Sequence, residues 1–460
     1  MLRGFSGISH QNPEHLRKSD FRPPEESRGF TDGLPRTRTR TRTDAGGTAD
    51  TESRFSPFLG SRATPGRHVE EAHSPAQVVT GAGHQHGAPA GPAEDKNAQD
   101  KVQVPSKPFW TKLGPSTAYW NHQQQILDLQ NNPILMANYS SADLPDWFSS
   151  GNLSSDPCRP NVRVKTQVKD YNSLPDRFKD FLLYMHCRSY PIVLDQPHIC
   201  KRPPFLLLAV KSQVSHFDRR QAIRQSWGRA GVMANHTVVT IFLLGNATSY
   251  DYHPDLSSSL RDESAHHKDI IQWDYRDSFF NLTVKEVLFL EWIQTRCRGA
   301  RFIFKGDDDV FVNTYRILDF LKGLSEAKAR DLFVGDVITD AGPHRDKKVK
   351  YFIPESMYVG KYPPYAGGGG YLYSGDLAAR LHTASQNVAL YPIDDVYTGM
   401  CLRKLGLAPE KNKGFRTFDI EEKYRSNACA YKSLMLVHPR TPQDMIKIWT
   451  WLNSPELNCK

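Results

Sequence analysis

Five apolar segments of strand length alternate with helical segments after residue 203, and this alternation constrains the fold more than any other feature. The strand candidates are FLLLAVK (205–211), VVTIFLLG (238–245), DIIQWDY (269–275), RFIFKG (301–306) and LFVGDV (332–337). Residues 216–228 and 281–297 show the spacing of apolar residues expected of helices. Buried strands that alternate with helices predict a mainly parallel sheet covered on both faces. The predicted fold class is therefore α/β.

The part of the chain before this region divides into two segments by composition. Residues 1–105 are rich in Gly, Pro, Ser, Thr and Arg, and they include the repeat RTRTRTRT at 36–43. Such a segment buries too little apolar surface to offset the entropy lost on ordering, so we expect a disordered tail without a nucleic-acid partner. Residues 106–200 are richer in aromatic residues and are expected to pack as an N-terminal extension on the main domain at 201–460.

Sequence features that report on the cellular compartment disagree with one another. No apolar run approaches the roughly 18 residues that a membrane-spanning helix needs, and no signal-peptide pattern begins the chain. Five N-x-Ser/Thr sites nevertheless favour a secretory protein; they begin at Asn138, Asn152, Asn235, Asn246 and Asn281. The seven scattered cysteines allow either three disulfides with one free thiol or buried reduced cysteines.

Three consecutive carboxylates, Asp307, Asp308 and Asp309, follow the fourth predicted strand. Like charges this close cost stability unless a cation lies among them, and Mg²⁺ or Mn²⁺ prefers oxygen ligands while leaving positions for water and phosphate. One alternative is a turn whose carboxylates cap a helix that starts near Asn313. Another is the D-x-D-x-Val pattern of phosphohydrolases, but their aspartate nucleophile belongs on the first strand of the domain. A metal site that handles phosphate is the preferred interpretation.

Other polar or flexible residues are predicted to gather around these aspartates. Ligands of open parallel sheets bind at the carboxyl ends of the strands, where Lys211, Gly245 and Asp274 also fall. Four consecutive glycines at 367–370, between aromatic residues, allow the backbone to pass close under a bulky ligand. The pair at 394 and 395 begins a helical segment, so one aspartate is expected to cap the helix and the other to face the site as a general base.

Taken together, these motifs resemble the β-1,3-glycosyltransferases of animal Golgi membranes, and among them the N-acetyllactosaminide β-1,3-N-acetylglucosaminyltransferases. The matching segments are RRQAIRQSWG (219–228), RDSFFNLTVKEVLFL (276–290), FKGDDDVFVN (304–313), FVGDV (333–337), YPPYAGGGG (362–370), YPIDDVYTGMCL (391–402) and KGFRTFDIEEK (413–423). The resemblance covers roughly residue 107 to the C-terminus. It implies a GT-A fold, the donor UDP-GlcNAc, the cofactor Mn²⁺ and inversion at the anomeric carbon of the transferred sugar. The implied acceptors are glycans on glycoproteins or glycolipids that end in β-galactose.

The resemblance also implies roles for individual residues. Asp395 matches the catalytic base, which takes the proton of the galactose 3-hydroxyl, and an aspartate with an ordinary pKa of about 3.9 is ionised at lumenal pH. Asp309 and His438 match the metal ligands, although the pattern around His438 taken alone favours a strand-end histidine without a metal. Asp307 and Asp308 are expected to face the ribose and the donor sugar. The expected donor-binding set is completed by Lys211, Arg224, Asp277, Lys285, Gly368 and Gly369.

Two other functions stay open at the level of sequence. One is a β-1,3-galactosyltransferase that uses UDP-Gal, because donor choice depends on a few side chains that spacing cannot rank. The other is a non-catalytic protein that binds UDP-sugars or glycans. Golgi residence is implied by the resemblance, whereas the single N-terminal anchor of the family has no counterpart in this chain. Association with itself or with related transferases is a further expectation.

Overall fold

The computed structural model describes residues 117–130, 158–247 and 255–459. All of these residues belong to one compact unit. Within them, no helix combines the length and the apolar character needed to cross a membrane. The predicted tail at 1–105 lies outside the described residues, as do the sites at Asn138 and Asn152.

Twelve strands form two sheets in the part of the chain that the structure describes. The strands are β1 (Ile192–Leu194), β2 (Leu206–Lys211), β3 (Gly231–Met233), β4 (His236–Asn246), β5 (Ile270–Arg276), β6 (Phe302–Asp307), β7 (Phe311–Val312), β8 (Phe333–Ile338), β9 (Tyr365–Ser374), β10 (Glu410–Lys411), β11 (Phe415–Arg416) and β12 (Leu436–Val437). The large sheet has the order β1-β5-β4-β2-β6-β9-β8-β10, with β3 paired to β4. The small sheet has the order β11-β12-β7.

The large sheet is mixed, although all five predicted strands form and run in the same direction. Strands β5, β4, β2 and β6 pair in parallel, and β10 pairs in parallel with β8. Strand β9 lies antiparallel between β6 and β8, and β1 and β3 are antiparallel edge additions. The predicted α/β sheet flanked by helices is confirmed, and the antiparallel strand between β6 and β8 is the glycine-rich segment.

Helices cover both faces of the large sheet. They are α1 (Tyr119–Gln130), α2 (Val164–Gln167), α3 (Asp176–Tyr184), α4 (Phe217–Gln225), α5 (Ser257–His267), α6 (Leu282–Arg296), α7 (Thr314–Lys322), α8 (Glu326–Arg330), α9 (Gly375–Ser385), α10 (Asp394–Lys404), α11 (Ala428–Lys432) and α12 (Pro442–Leu452). Side chains of β2 point alternately to the two faces, so Leu207 and Ala209 join the core with α6, α9 and α10. Leu206 and Leu208 join the opposite core with α4, α7 and α12.

The described parts of the 106–200 segment pack on the main domain. The indole nitrogen of Trp120 in α1 donates a hydrogen bond to the Ala389 carbonyl at 3.0 Å. The rings of Phe178 in α3 and Phe280 lie 5.2 Å apart, edge to face. The exact boundaries at 106 and 200 remain a prediction.

Six of the seven cysteines form three disulfides, Cys158–Cys187, Cys200–Cys297 and Cys429–Cys459, and Cys401 is a buried free thiol. Of the two interpretations of the cysteines, the structure therefore supports three disulfides with one free thiol. The Cys200–Cys297 bond ties the end of the N-terminal extension to the residue that follows α6. Disulfides of this kind persist in oxidising compartments.

Candidate active site

A cavity of about 470 Å³ opens where β2 and β6 end. This volume falls in the range of roughly 300–1,000 Å³ that is usual for small-molecule sites. The predicted residues in its wall are Lys211, Lys285, Asp307, Asp308, Asp309, Gly368, Gly369, Asp394, Asp395 and His438. The strand ends therefore bring together most of the residues that the sequence motifs single out.

Lys211 connects three of the elements that form the cavity. It is the last residue of β2 and lies beside Asp307 in the parallel register with β6. Its Nζ lies 2.8 Å from Asp307 Oδ1 and 2.8 Å from Asp394 Oδ2 at the start of α10, and it donates to the Gly368 carbonyl at 3.4 Å. Burial disfavours its charge, but the two carboxylates raise the pKa of Lys211 above its ordinary value. The ammonium group therefore fixes β2, β6 and α10 relative to one another.

Both carboxylate oxygens of Asp308 have hydrogen-bond partners within the protein. Ser212 Oγ donates to its Oδ2 at 2.7 Å, and His216 Nδ1 lies 2.7 Å from the same oxygen. Arg219 Nη1 donates to its Oδ1 at 2.8 Å. Burial opposes ionisation, yet His216, Ser212 and Arg219 hold the pKa of Asp308 below its ordinary value. Asp308 thus anchors the segment between β2 and α4 at the cavity wall, and its predicted donor contact stays a prediction.

Asp309 and His438 lie side by side on the cavity wall, with Asp309 Oδ1 3.6 Å from His438 Nε2. His438 Nδ1 lies 2.9 Å from the Thr417 carbonyl, which accepts only from a protonated nitrogen. In the neutral imidazole, Nε2 therefore keeps its lone pair and directs it toward Asp309. Bonds to a Mg²⁺-sized ion are about 2.1 Å long, so two of its ligands lie at most about 4.2 Å apart. This pair fits a divalent cation.

The four glycines form a wide bulge in β9 that turns the backbone toward the cavity. In the pairing of β9 with β8, Val337 lies opposite Ala366 and Gly335 lies opposite Tyr371. Two steps along β8 therefore correspond to five steps along β9, and the three extra residues lie among the glycines. Glycine suits such a bulge because it has no side chain that would collide with the neighbouring backbone.

Side chains at these positions would meet functional groups of the site. A Cβ at Gly368 would lie 3.4 Å from Asp395 Oδ2, and a Cβ at Gly369 would lie 3.2 Å from His438 Cβ. The glycine backbone thus separates Asp395 from the Asp309–His438 pair within one cavity. The expected close passage of this backbone beneath a ligand stays a prediction.

The two aspartates at the start of α10 have different surroundings. Burial opposes ionisation of Asp394, but Lys211 and the nearby Lys305 hold its pKa below the ordinary value. Asp395 faces the cavity, and its Oδ1 accepts from the backbone of Val396 at 2.8 Å. Burial and the charge of Asp394 raise the pKa of Asp395 to about 7, although Lys211 opposes the shift. Neither aspartate takes the expected N-cap position, which is occupied by Ile393, although Asp395 accepts the Val396 N–H within the first turn of α10.

Comparison with known proteins agrees with this geometry. Residues 218–413 match the family model described as galactosyltransferase. The N-acetyllactosaminide beta-1,3-N-acetylglucosaminyltransferase 2 of Mus musculus is 58% identical over 369 residues, which cover 80% of this chain and 92% of that protein. The chain belongs to the β-1,3-N-acetylglucosaminyltransferase family. The Homo sapiens protein with the same name as the mouse relative is 57% identical over 368 residues, which cover 80% of this chain and 92% of that protein. N-acetyllactosaminide beta-1,3-N-acetylglucosaminyltransferase 4 of Mus musculus is 46% identical over 305 residues, which cover 66% of this chain and 84% of that protein.

Arg224 and Asp277 do not line the cavity of this β-1,3-N-acetylglucosaminyltransferase. Arg224 binds Asp269 through Nε at 2.7 Å and Glu263 through Nη1 at 2.7 Å, so its guanidinium joins α4 to α5 and β5. Asp277 accepts from the Gly245 backbone at 2.9 Å and from Lys285 Nζ at 2.8 Å. The geometry gives Arg224 a structural role and places Asp277 behind Lys285.

Gly245 and Asp274, which strand-end reasoning also assigned to the site, remain outside the cavity wall. The Asp274 carboxylate accepts from the Asn246 amide at 2.6 Å on the exposed edge of β5. The strand-end argument is therefore wrong for these two residues, because β2 separates β4 and β5 from β6, the strand that ends at Asp307.

Sequence reasoning missed several wall residues of the transferase, including His216, Tyr351 and Phe418. It also missed Arg219, which binds Asp308 and reaches within 3.4 Å of Asp309 Oδ2. A signal for Arg219 existed, since a basic residue in the first turn of a helix that follows β2 faces the strand ends. Phe418 lies within the matching segment at 413–423, but its residue pattern does not assign Phe418 to the site, and nothing local marks Tyr351.

Proposed function

We propose that this enzyme transfers GlcNAc from UDP-GlcNAc, with inversion, to the 3-hydroxyl of a terminal β-galactose on N-acetyllactosamine glycans. The observation that carries the proposal is the placement of Asp395, a carboxylate without an ion-pair partner, in one cavity with the Asp309–His438 pair. The relatives named above act, by their names, on N-acetyllactosaminide as β-1,3-N-acetylglucosaminyltransferases. Elongation of poly-N-acetyllactosamine follows from this donor, acceptor and linkage.

Asp395 acts as the general base of the proposed reaction. The galactose 3-hydroxyl attacks C1 of the donor GlcNAc from the face opposite UDP, and its proton passes to Asp395 as the new C–O bond forms. The bond from C1 to the diphosphate oxygen breaks, and UDP leaves with that electron pair. The sugar passes through oxocarbenium character, and no covalent intermediate with the protein is required.

Charge on the departing diphosphate is met by the opposite wall. Lys285 places a positive group there, Arg219 lies against Asp308 and Asp309, and both cations are held by carboxylates of the protein. Mn²⁺ bound by Asp309 and His438 would supply Lewis-acid stabilisation of the leaving group. The proposal thus separates a base wall around Asp395 from a diphosphate wall around Asp309.

The decisive experiment uses the full chain, secreted from cells behind an added signal peptide. UDP-GlcNAc and N-acetyllactosamine are supplied with Mn²⁺ or with EDTA, and the product linkage is determined. Metal-dependent formation of β-1,3-linked GlcNAc is expected. Turnover with UDP-Gal alone would establish the galactosyltransferase alternative, and UDP binding without turnover on any galactoside would establish a binding protein.

Replacement of Asp309 by alanine is expected to weaken Mn²⁺ and UDP binding together, because it removes one of the two metal ligands. A loss of about tenfold or more in metal affinity is typical for changes at such sites. Titration of Mn²⁺ in the transfer assay and calorimetric titration of UDP measure the two effects. Asp319→Ala on the exposed face of α7 is the matched control. Unchanged Mn²⁺ dependence would remove Asp309 from the metal site.

The transfer rate is expected to fall as the pH is lowered through about 7. Because the pKa of Asp395 is raised to about 7, its active carboxylate is converted to the inactive acid below that pH. About one unit below the midpoint, roughly a tenth of the molecules keep the base. The measurement is kcat/KM for the acceptor against pH at saturating Mn²⁺. A profile that is flat down to about pH 5 would match an unshifted aspartate instead.

The proposal places the enzyme in the Golgi lumen, where its acceptors are glycans on glycoproteins or glycolipids. The three disulfides support an oxidising compartment. The N-x-Ser/Thr site at Asn235 lies exposed between β3 and β4. Association with itself or with related transferases stays part of the proposal.

A further inference from the structure

Phe418 is an unusually exposed aromatic residue on the cavity wall. Its side chain is 76% exposed, more than any other large apolar side chain in the described ranges, and it lines the same cavity as Asp395. An apolar ring in water gains nothing from the hydrophobic effect. An exposed aromatic ring on the wall of a cavity is positioned to be covered by a bound ligand.

The chain on both sides of Phe418 is firmly held. The Thr417 backbone N–H donates to Asp336 Oδ2 at 3.3 Å, and the Thr417 carbonyl lies 2.9 Å from His438 Nδ1. Asp419 has a φ of +72°, in the left-handed region that few non-glycine residues occupy. Asp419 oxygens lie 2.7 Å from Arg440 and 2.7 Å from Arg425. Exposure of Phe418 is therefore built into the turn and does not arise from a loose loop.

Phe418 lies in a segment that contacts both His438 and the glycines beside the base. Its neighbour Thr417 packs against Gly367, since a Cβ there would lie 2.7 Å from Thr417 Cγ2. The next glycine, Gly368, is the one that contacts Asp395. The polar residues suited to a nucleotide and diphosphate, such as Ser212 and His216, come from a different segment, which follows β2.

We infer that Phe418 is an acceptor-binding residue, whose ring stacks on a pyranose ring of the incoming N-acetyllactosamine. This inference rests on the proposed function and deepens it. A pyranose presents one face of C–H groups, and the axial 4-hydroxyl of galactose leaves such a face free for an aromatic ring. Stacking there orients the galactose without occupying its 3-hydroxyl, which must point to Asp395.

The test is the kinetics of Phe418→Ala in the full secreted chain, with N-acetyllactosamine and UDP-GlcNAc varied in turn. The acceptor KM is expected to rise about 5- to 10-fold, in the range of aromatic contacts, while the donor KM stays within about twofold. Phe418→Tyr is expected to keep the acceptor KM, because the ring face remains. Val232→Ala, at an equally exposed apolar residue of β3 outside the cavity, is the matched control.

The outcomes separate this inference from the proposed function. If the wild-type chain transfers GlcNAc and Phe418→Ala keeps its acceptor KM, the acceptor role is overturned and the proposed function stands. A raised donor KM with unchanged acceptor KM also overturns it, since Phe418 would then contact the nucleotide sugar. If the wild-type chain transfers no GlcNAc, the proposed function fails and the inference fails with it. Thermal unfolding of the variant at the wild-type temperature excludes a folding defect.

Discussion

Asp395→Asn is expected to lower the rate of GlcNAc transfer by about 100- to 10,000-fold while leaving UDP binding intact. Asparagine keeps the size and position of the side chain but cannot take the proton of the galactose 3-hydroxyl. Asp395 makes no ion pair with the residues proposed to hold UDP or metal, because the Lys211 ammonium binds Asp307 and Asp394 instead. Steady-state transfer and calorimetric titration of UDP measure the two quantities separately.

Stability provides the control for this variant. The pKa of Asp395 is raised by folding, so the folded chain binds its proton more tightly than the unfolded chain. The resulting stabilisation is present below the unfolded pKa of about 4 and is lost as the pH rises through about 7. Asparagine carries no charge, so the variant is expected to unfold at a temperature equal to or about 2 °C above the wild-type value at neutral pH. A normal transfer rate in Asp395→Asn would show that Asp395 is not the base.

The five strands that run in the same direction could be predicted because each is a short, mainly apolar segment. Such a segment is recognisable as a buried strand from its own sequence, without knowledge of its partners. Strand β9 could not be predicted, since glycines have low strand propensity and its place depends on distant partners in β6 and β8. The antiparallel insertion therefore appears only when the two neighbouring strands are known. This single insertion also brings the glycine backbone to the site.

The site was predictable where a residue is fixed by its own strand end, as at Asp307 and Asp309. Helical residues were harder to assign, because Arg219 and Arg224 lie in one basic helix and differ by five positions. Five residues rotate a side chain by about 140° around the helix, so the two arginines face different neighbours. The raised pKa of Asp395 also could not be predicted from the neighbouring sequence. Its pKa depends on burial and on Asp394, which the fold and Lys211 position together.

Lys211→Met is expected to lower the free energy of unfolding by about 3–5 kcal/mol, the usual effect of removing one partner from a buried ion pair. Methionine is unbranched like lysine and only one atom shorter, but it leaves Asp307 and Asp394 without their shared cation. Denaturant unfolding measures the loss. Lys179→Met provides the matched control, because its partner Asp176 is fully solvated and exposed ion pairs contribute little.

The pH dependence of the stability loss in Lys211→Met distinguishes two roles of Lys211: an ion-pair bridge between carboxylates, and a contact to the sugar donor alone. In the wild-type protein, Lys211 helps to hold the pKa of Asp394 below its ordinary value, so the stabilisation is present at neutral pH and is lost as the pH falls through that pKa. The deficit of Lys211→Met is therefore expected to be largest at neutral pH and to shrink in acid, where the carboxylates take up protons. A variant of wild-type stability that lost only affinity for UDP would instead support the donor-binding role implied by the family resemblance. Loss of both stability and transfer, with the deficit shrinking in acid, would mean that one buried ammonium holds the metal-side and base-side carboxylates in place.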